Sequence, residues 1–209
     1  DAYISQSYSV GEVSGNSTIG GLVGFNLAGK VENSYSLSTI SANGGSIGGL
    51  VGYNEDINRG DDPGILNNCF YAGLMVSTST SVGGVVGKNE NSIVTACFWD
   101  MDVSEQYTSD GGEAKSTTAM MKGSTFTEAG WDFDTFWEID EGRSYPYLRI
   151  LGPHNGMSWE GEAISDDESG LSGCGSKEHT TDPNQLGDWL LVGLSLIVLM
   201  AFTRATSRT

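Results

Sequence analysis

Three segments of this chain share one short pattern: GGLVGFN at residues 20–26, GGLVGYN at residues 48–54 and GGVVGKN at residues 83–89. Longer units recur around these segments, and their first residues are Ser7, Ser34, Cys69 and Cys97. The starts are 27, 35 and 28 residues apart, and an insertion around residues 55–64 explains the longest spacing. A period of this length is typical of repeat architectures, in which each unit buries its apolar face against the next.

Each unit contains three short runs of strand-forming residues with Gly, Asn or Ser between them. In the first unit these runs are Tyr8–Val13, Thr18–Phe25 and Lys30–Tyr35. Short runs between turn residues indicate strands, and no helical period accompanies them. The sequence therefore predicts an all-β fold. We expect a parallel β-solenoid (β-helix) of about three to four coils stacked ~4.8 Å apart, with a small mixed cap and a C-terminal hydrophobic helix.

Stacking in register would superimpose the equivalent residues of successive units. Apolar columns are expected inside the stack from Ile19, Ile47 and Val82 and from Leu22, Leu50 and Val85. An aromatic column is expected from Tyr8, Tyr35, Phe70 and Phe98. A column of amides that bond to the coils above and below is expected from Asn26, Asn54 and Asn89. Three glycines suit a corner that has no room for a side chain: Gly24, Gly52 and Gly87.

The three glycine-rich segments resemble the GLUG motif, a repeat of bacterial surface proteins, filamentous adhesins and some IgA-cleaving peptidases. The resemblance covers about half of the chain and implies a β-solenoid on a cell surface. It implies no reaction, because the same repeat accompanies many functions. The third segment departs from the others at Lys88, where they have Phe25 and Tyr53. Residues 125–148 resemble the segment that commonly closes such repeat domains.

Composition divides the chain into four segments. Residues 1–98 are the GLUG-like β-solenoid repeats, and residues 99–152 are an aromatic-rich cap in which Ser116 is expected to begin a short helix. Residues 153–188 are an acidic spacer rich in Gly and Ser. Residues 189–209 are a C-terminal transmembrane or sorting helix with a basic end.

The apolar run WLLVGLSLIVLMAF, from Trp189 to Phe202, has no charged residue and precedes Arg204 and Arg208. Such a run predicts a membrane anchor at the C-terminus, with the basic end in the cytoplasm and the bulk of the protein at the cell surface. With Cys174 before it, the tail resembles bacterial sorting tails that membrane proteases process. The resemblance makes Cys174 a processing or lipidation candidate and implies a sorting protease. An unprocessed single-pass anchor is the alternative.

Charge and motifs restrict the function. The 209 residues contain 27 Asp plus Glu and 10 Lys plus Arg, and the net charge of −17 would repel phosphate backbones, which argues against nucleic acid as a partner. The sequence has no HExxH, its two histidines are isolated, and its Ser-rich runs are expected to be turns rather than a GxSxG elbow. We therefore expect no catalytic residues, no cofactor and no enzymatic activity.

Two further site predictions concern the insertion and the cysteines. Closely spaced oxygen ligands make a calcium candidate of Asp56, Asn58, Asp61 and Asp62, and the alternative is an exposed acidic loop. Cys69 and Cys97 occupy the same place in adjacent units, so their Cα atoms would lie ~5 Å apart. A disulfide and a pair of buried thiols both fit that distance.

The sequence favours a non-enzymatic bacterial surface protein that serves adhesion or surface display, with a host or matrix protein or a glycan as its partner. Two alternatives remain. One is a glycan-binding module whose contacts are Trp99, Trp131 and Trp137, residues that would otherwise belong to the core of the cap. The other is the C-terminal part of a larger secreted enzyme, such as a surface peptidase.

Overall fold

Short parallel strands dominate the structure, and each pairs with the equivalent strand of the next repeat. The computed structural model describes residues 2–57 and 62–152. They belong to the first of two units of the chain, Asp1–Glu162, whereas the second, Ala163–Thr209, lies outside the described residues. Among the described residues there are 20 strands and three helices of four or five residues, so the predicted all-β class is confirmed.

The strands follow the repeats. β1 (Tyr3–Ser5) comes first, and the first repeat forms β2 (Tyr8–Ser9), β3 (Glu12–Gly15), β4 (Ile19–Gly20), β5 (Val23–Leu27) and β6 (Lys30–Glu32). The second repeat forms β7 (Tyr35–Ser36), β8 (Thr39–Ala42), β9 (Ser46–Gly48), β10 (Val51–Glu55) and β11 (Ile65–Asn67). The third forms β12 (Phe70–Tyr71), β13 (Met75–Ser77), β14 (Ser81–Gly83), β15 (Val86–Glu90) and β16 (Ile93–Thr95), and the fourth begins with β17 (Phe98–Asp100).

Equivalent strands line up in five parallel sheets. Two sheets extend beyond the three full repeats: β1–β6–β11–β16, and β2–β7–β12–β17 with β18 (Glu113–Lys115) added at its edge. The other three sheets have one strand from each full repeat: β3–β8–β13, β4–β9–β14 and β5–β10–β15. The polypeptide therefore passes through all five sheets once in each repeat.

Each repeat has five strands rather than the three predicted, because turns interrupt the predicted runs. Gly11, with φ of 125°, divides the run Tyr8–Val13. A left-handed residue occupies the equivalent corner of every repeat, with φ between 45° and 52°: Gln6, Asn33, Asn68 and Ala96. Asparagine tolerates this conformation, but Gln and Ala give no turn signal, so the sequence pattern alone marks the corner in only two repeats.

Strand register confirms the apolar and aromatic columns. Ile19 lies opposite Ile47, which lies opposite Val82. One sheet holds the aromatic column in successive register positions: Tyr8, Tyr35, Phe70 and Phe98. Within this column the rings of Tyr35 and Phe70 stack with centroids 4.8 Å apart.

The predicted amide column is a continuous hydrogen-bonded ladder. Asn26 Nδ2 donates to Asn54 Oδ1 at 2.7 Å, and Asn54 Nδ2 donates to Asn89 Oδ1 at 2.8 Å. Each amide also donates to a carbonyl in the turn after its strand: Gly29 O at 2.8 Å, Gly64 O at 3.2 Å and Ser92 O at 3.1 Å. Each carboxamide therefore joins its own turn to a neighbouring repeat.

The three glycines predicted at a crowded corner lie inside strands instead. Gly24, Gly52 and Gly87 belong to β5, β10 and β15, just before the ladder asparagines and their outward neighbours. The physical reason for glycine nevertheless holds at Gly52, where an added Cβ would lie 2.6 Å from Gly24 O and 2.7 Å from Ile19 O. The backbone of a neighbouring strand, rather than a corner, removes the space for a side chain.

Two apolar cores lie on opposite sides of the aromatic sheet. The first fills the inside of the stack and includes Ile40, Ile47, Leu50 and Val51, each fully buried. The second joins the aromatic column to the cap, and it includes Tyr35, Phe70, Phe126, Trp131 and Trp137. Adjacent residues of a strand point to opposite faces, so Phe70 belongs to the second core and Tyr71 to the first.

The cap spreads over the side of the stack. After β17 its elements are α1 (Met101–Ser104), β18, α2 (Thr117–Met120), α3 (Gly123–Thr127) and the antiparallel pair β19 (Trp137–Glu138) and β20 (Tyr147–Leu148). Ser116 Oγ accepts a hydrogen bond from Ala119 N at 3.3 Å, which confirms the predicted capped helix. Trp137 Nε1 donates to Asn33 Oδ1 at 3.3 Å, so the cap reaches back to the end of the first repeat.

A smaller part of the cap covers the outer edge of β15 at the C-terminal end of the stack. Ser109 Oγ accepts hydrogen bonds from Val85 N and Val86 N at 3.1 and 3.0 Å. Asp110 N donates to Val86 O at 3.1 Å, and Asp110 Oδ2 accepts from Asn89 N at 2.6 Å. These bonds replace the partners that a further repeat would supply.

Candidate interaction surfaces

The three tryptophans predicted as glycan contacts are buried. Trp99 and Trp131 are each 4% exposed, and Trp137 is fully buried. Trp99 Nε1 donates to Gln106 O at 2.8 Å, and Trp131 Nε1 donates to Ala96 O at 2.9 Å. The structure therefore shows the alternative that the sequence left open, in which these rings are core residues. Trp131 and Trp137 belong to the core beneath the cap, whereas Trp99 packs inside the stack.

The acidic insertion is described only in part. Asn58 and Asp61 lie outside the described residues, Asp56 is buried, and Asp62 is half-buried. Among residues 2–57 and 62–152, no group of three His, Cys, Asp or Glu side chains is placed to hold a metal ion. The calcium site therefore stays a prediction.

Cys69 and Cys97 are free, buried thiols in adjacent repeats. Each Sγ donates to the carbonyl two residues earlier, Cys69 to Asn67 O and Cys97 to Thr95 O, both at 3.2 Å. Burial raises the pKa of the Cys69 thiol well above its usual range, and the neighbouring Cys97 raises it further. Of the two alternatives for this pair, the structure shows the thiols.

The predicted tail features fall outside the described residues. These are the processing candidate Cys174 and the apolar run Trp189–Phe202. In the part of the chain that the structure describes, no helix has the length and apolar character needed to cross a membrane.

An exposed column of side chains follows the sheet β5–β10–β15. We call Phe25, Tyr53 and Lys88 the outward column, because they occupy equivalent register positions and Phe25 is 46% exposed. The Phe25 and Tyr53 ring centroids are 5.1 Å apart, and Lys88 Nζ lies 4.7 Å from the centroid of the Tyr53 ring. The column therefore presents ring surface and a cation side by side.

A carboxylate completes the polar end of the outward column. Tyr53 OH donates to Glu90 Oε2 at 2.5 Å, and Lys88 Nζ donates to the same oxygen at 2.8 Å. The hydrogen bond from Tyr53 to Glu90 raises the pKa of the Tyr53 hydroxyl. The hydrogen bonds of Lys88 with Glu90 and Tyr53 raise the pKa of the Lys88 ammonium. Both groups therefore keep their protons at neutral pH.

A second cluster of the same composition lies on β1 and β6. Lys30 Nζ lies 2.5 Å from Glu32 Oε2 and 5.6 Å from the centroid of the Tyr3 ring, and Tyr3 OH donates to Glu32 Oε1. The hydrogen bonds from Lys30 and Tyr3 lower the pKa of the Glu32 carboxyl. Tyr3 is 59% exposed, so this cluster also faces solvent.

Sequence reasoning missed the outward column, although a signal was present. Phe25, Tyr53 and Lys88 are the position that differs in all three segments, which otherwise differ only by Val85 in place of leucine. Each stands between a glycine and a ladder asparagine that points inward, so the alternation of a strand places it on the outer face. Seen only as a departure from the motif, the variable residue does not reveal this face.

One buried carboxylate joins the cap to the stack. Asp100 is fully buried, and its Oδ1 accepts hydrogen bonds from Asp102 N at 2.9 Å and Val103 N at 3.1 Å at the start of α1. Its Oδ2 accepts from Tyr145 OH at 2.8 Å. Burial raises the pKa of Tyr145, and the charge of Asp100 raises it further. Every partner of Asp100 is structural, so this buried acid is not a catalytic candidate.

An open cleft of about 630 Å³ lies beside α2. Its lining residues are Thr117, Thr118, Met121, Lys122, Glu141 and Gly142. Glu141 Oε1 already accepts a hydrogen bond from Gly123 N at 2.9 Å. The lining includes no histidine or cysteine, and its side chains of the types that can act as base or nucleophile are Glu141, Lys122, Thr117 and Thr118.

Comparison with protein families identifies the repeat. Residues 15–41 match the GLUG motif, which confirms the resemblance for the segment that contains β4, β5 and β6. No solved structure matches the chain.

Two much longer proteins are similar to this chain. One, from Evansella cellulosilytica and provisionally named a Gly-rich membrane protein, is 35% identical over 124 residues, which are 56% of this chain and 13% of that protein. The other, halomucin of Haloquadratum walsbyi, is 29% identical over 168 residues, which are 66% of this chain and 2% of that protein. The chain thus spans a small part of either relative.

Proposed function

We propose that this chain is a non-enzymatic module of a bacterial cell-surface protein, and that its stacked repeats form a β-solenoid that displays one rigid face for adhesion. The observation that supports this most directly is the outward column. Phe25, Tyr53 and Lys88 are held in fixed positions by strand pairing, yet they contribute little to either core. Exposed aromatic residues aligned on a rigid sheet are typical of contact surfaces.

The proposed location follows from the names of the relatives and from the tail. One relative is named a Gly-rich membrane protein and the other halomucin, and both are far longer than the matched segment. The run Trp189–Phe202 would anchor the module from its C-terminus, with the acidic spacer 153–188 holding the repeats away from the membrane. Processing at Cys174 is part of this proposal.

Glycan binding is a second candidate function. The residues that support it are those of the outward column rather than the three tryptophans predicted from the sequence. Ring faces pack against the apolar faces of sugars, while ammonium and carboxylate groups bond to hydroxyls. Phe25 and Tyr53 supply the rings, and Lys88 and Glu90 supply the polar groups.

Adhesion of beads coated with the full chain tests the proposal. The beads are applied to an array of immobilised matrix proteins and neutral polysaccharides. We expect retention on at least one surface, reduced at least tenfold by Phe25→Ser with Lys88→Ser. Matched controls are Val10→Ser and Val76→Ser, which replace residues that are 53% and 57% exposed elsewhere on the repeats.

The outcomes separate the candidates. Retention on polysaccharides alone supports glycan binding, and retention on matrix proteins alone supports protein adhesion. Absence of retention on every surface, or equal loss in the column and control variants, overturns the role of the outward column. Circular dichroism of each variant confirms that the strands are intact.

A further inference from the structure

A column of small polar side chains follows the left-handed corner of the repeats. Its members stand one residue before the aromatic column, and we call them the corner column: Ser7, Ser34, Cys69 and Cys97. Each side chain donates a hydrogen bond to the carbonyl oxygen two residues earlier, at 2.8 Å from the two serines and 3.2 Å from the two cysteines. Because every member makes the same bond, the four side chains share one orientation.

The two sulfur atoms are therefore separated by the spacing of the strands. Cys69 O accepts a hydrogen bond from Phe98 N at 3.0 Å, which holds the two cysteines in parallel register. Side chains of one orientation on strands ~4.8 Å apart have their Sγ atoms ~4.8 Å apart. A disulfide needs ~2.05 Å, so a bridge would require a thiol to turn away from its carbonyl. An ion midway between the sulfurs would lie ~2.4 Å from each, close to the ~2.3 Å of a metal–thiolate bond.

The donor set consists of two sulfur atoms. Among residues 2–57 and 62–152, no third His, Cys, Asp or Glu side chain joins Cys69 and Cys97 in a group that could hold a metal ion. Structural zinc takes four ligands, so the pair does not suit Zn²⁺. Thiolates are soft ligands that select Cu(I), which accepts two sulfur ligands in line. The pair therefore matches Cu(I) in the type, the number and the separation of its ligands.

An open recess reaches one of the two thiols. Glu113 lies opposite Phe98, so Gly112 takes the position in the corner column that follows Cys97. Gly112 has no side chain, and together with Cys97 and Glu113 it lines a recess of about 390 Å³. Cys69 is fully buried, whereas Cys97 is 2% exposed. An ion can therefore approach the pair from the side of Cys97.

We propose that Cys69 and Cys97 form a binding site for one Cu(I) ion, held in line between their sulfur atoms. On binding, both S–H bonds break, two Cu–S bonds form and two protons pass to solvent. No electron is transferred, so the ion enters and remains as Cu(I). The hydrogen bonds to Asn67 O and Thr95 O are lost with the two protons. The site belongs to the corner column rather than to the outward column, so this proposal goes beyond the proposed function.

Anaerobic titration of the full chain with Cu(I) provides the test. The chain carries Cys174→Ser, which leaves the pair as its remaining cysteines. Cu(I) is supplied in competition with a chromogenic chelator, and we expect one ion to be bound per chain. X-ray absorption should show two sulfur neighbours and no nitrogen or oxygen neighbour. Zn²⁺ should not bind, because two thiolates supply half of the ligands that it takes.

Serine variants of the pair are the matched controls. We expect Cys69→Ser and Cys97→Ser to keep the fold, which circular dichroism checks. The reason is that serine already makes the corner bond at Ser7 and Ser34. Each variant should bind Cu(I) about a hundredfold more weakly, because one soft ligand is left.

Three outcomes would overturn the proposal. One is that the parent chain binds no Cu(I). Another is equal binding by the variant with both serine substitutions, which would make the bound copper adventitious. The third is that the denatured, unreduced parent chain has no free thiols, which would show that the pair forms a disulfide. None of these outcomes depends on adhesion, so the site can fail while the proposed function holds.

Discussion

At the scale of single residues, buried amides define how the repeats stack. Asn26 and Asn54 are almost completely buried, and each carboxamide bonds to its own turn. Asn54 also bonds to the repeats on both sides, and Asn26 to the repeat that follows. A buried carboxamide needs these partners, because leaving it unpaired costs about 1–3 kcal/mol for each lost group. A slip of one residue in register would break every bond of the ladder.

We expect Asn54→Ala to lower the free energy of unfolding by about 3 kcal/mol. The substitution removes the bonds to Gly64 O and Asn89 Oδ1 and leaves Asn26 Nδ2 without one acceptor. Urea denaturation followed by circular dichroism measures the change. Asn43→Ala is the control, because Asn43 is exposed and a change within about 0.5 kcal/mol is expected there. Equal effects of the two substitutions would contradict the structural role of the ladder.

A second prediction at this scale concerns pH and Glu32. The pKa of Glu32 is lower in the folded protein than the ~4.3 of an unfolded glutamate, because Lys30 and Tyr3 donate to it. Below pH ~4.3 the unfolded chain therefore binds the extra proton more readily. The contribution of Glu32 to stability is present above that pH and is lost as the pH falls through the folded pKa.

Glu32→Gln should flatten this part of the pH dependence. The measurement is the urea midpoint at pH 2.5 to 7, compared with that of the unmodified protein. Glu12→Gln, at an exposed position of β3, serves as the control. Parallel profiles for the Glu32 variant and the unmodified protein would show that the Tyr3–Lys30–Glu32 cluster does not stabilise the fold.

At the scale of elements, the cap and the sheet of β7, β12 and β17 form one packing unit. The outer face of this sheet is aromatic, and the Phe98 and Phe126 rings meet edge to face with centroids 5.5 Å apart. Because this face would otherwise expose large rings to water, the cap is needed along the side of the stack as well as at its end.

Tyr145→Phe tests the attachment of the cap. The hydroxyl donates to the buried Asp100 Oδ2, and loss of a bond to a charged group costs about 1.5–3 kcal/mol. We expect a destabilisation of about 2 kcal/mol, with the tryptophan fluorescence of the cap changing at lower urea than the circular dichroism of the strands. Tyr107→Phe is the matched control, since Tyr107 is 75% exposed. If the tryptophan fluorescence and the circular dichroism change at the same urea concentration, the cap and the stack unfold as one unit.

At the scale of the whole molecule, the repeat period was sufficient to predict which residues stack. Equivalent positions such as Ile47 and Val82 follow from the spacing of the repeats alone. This spacing can be read from the sequence without knowing where the chain turns. The number of strands was not predictable in the same way. Corners at Gln6 and Ala96 depend on left-handed backbone conformations that these residue types do not signal.

The candidate surfaces were harder to predict than the stack. Trp99, Trp131 and Trp137 are large and amphipathic, so composition alone could not separate a ligand contact from a core residue. Whether a ring is a core residue or a ligand contact depends on the face of the sheet on which it lies. That face can be assigned only when the strand bounds are known. The outward column became recognisable once β5, β10 and β15 placed Phe25, Tyr53 and Lys88 on one face.

The bonds of Ser109 and Asp110 to β15 also determine how the molecule can grow. Fibres form when the two ends of a subunit are complementary, because each copy then accepts the next without limit. Here Ser109 and Asp110 occupy the outer edge of β15, so a second copy cannot pair with that strand while they are in place. Addition of copies at β15 would therefore require residues 109–110 to leave that strand first, whatever the concentration of the protein.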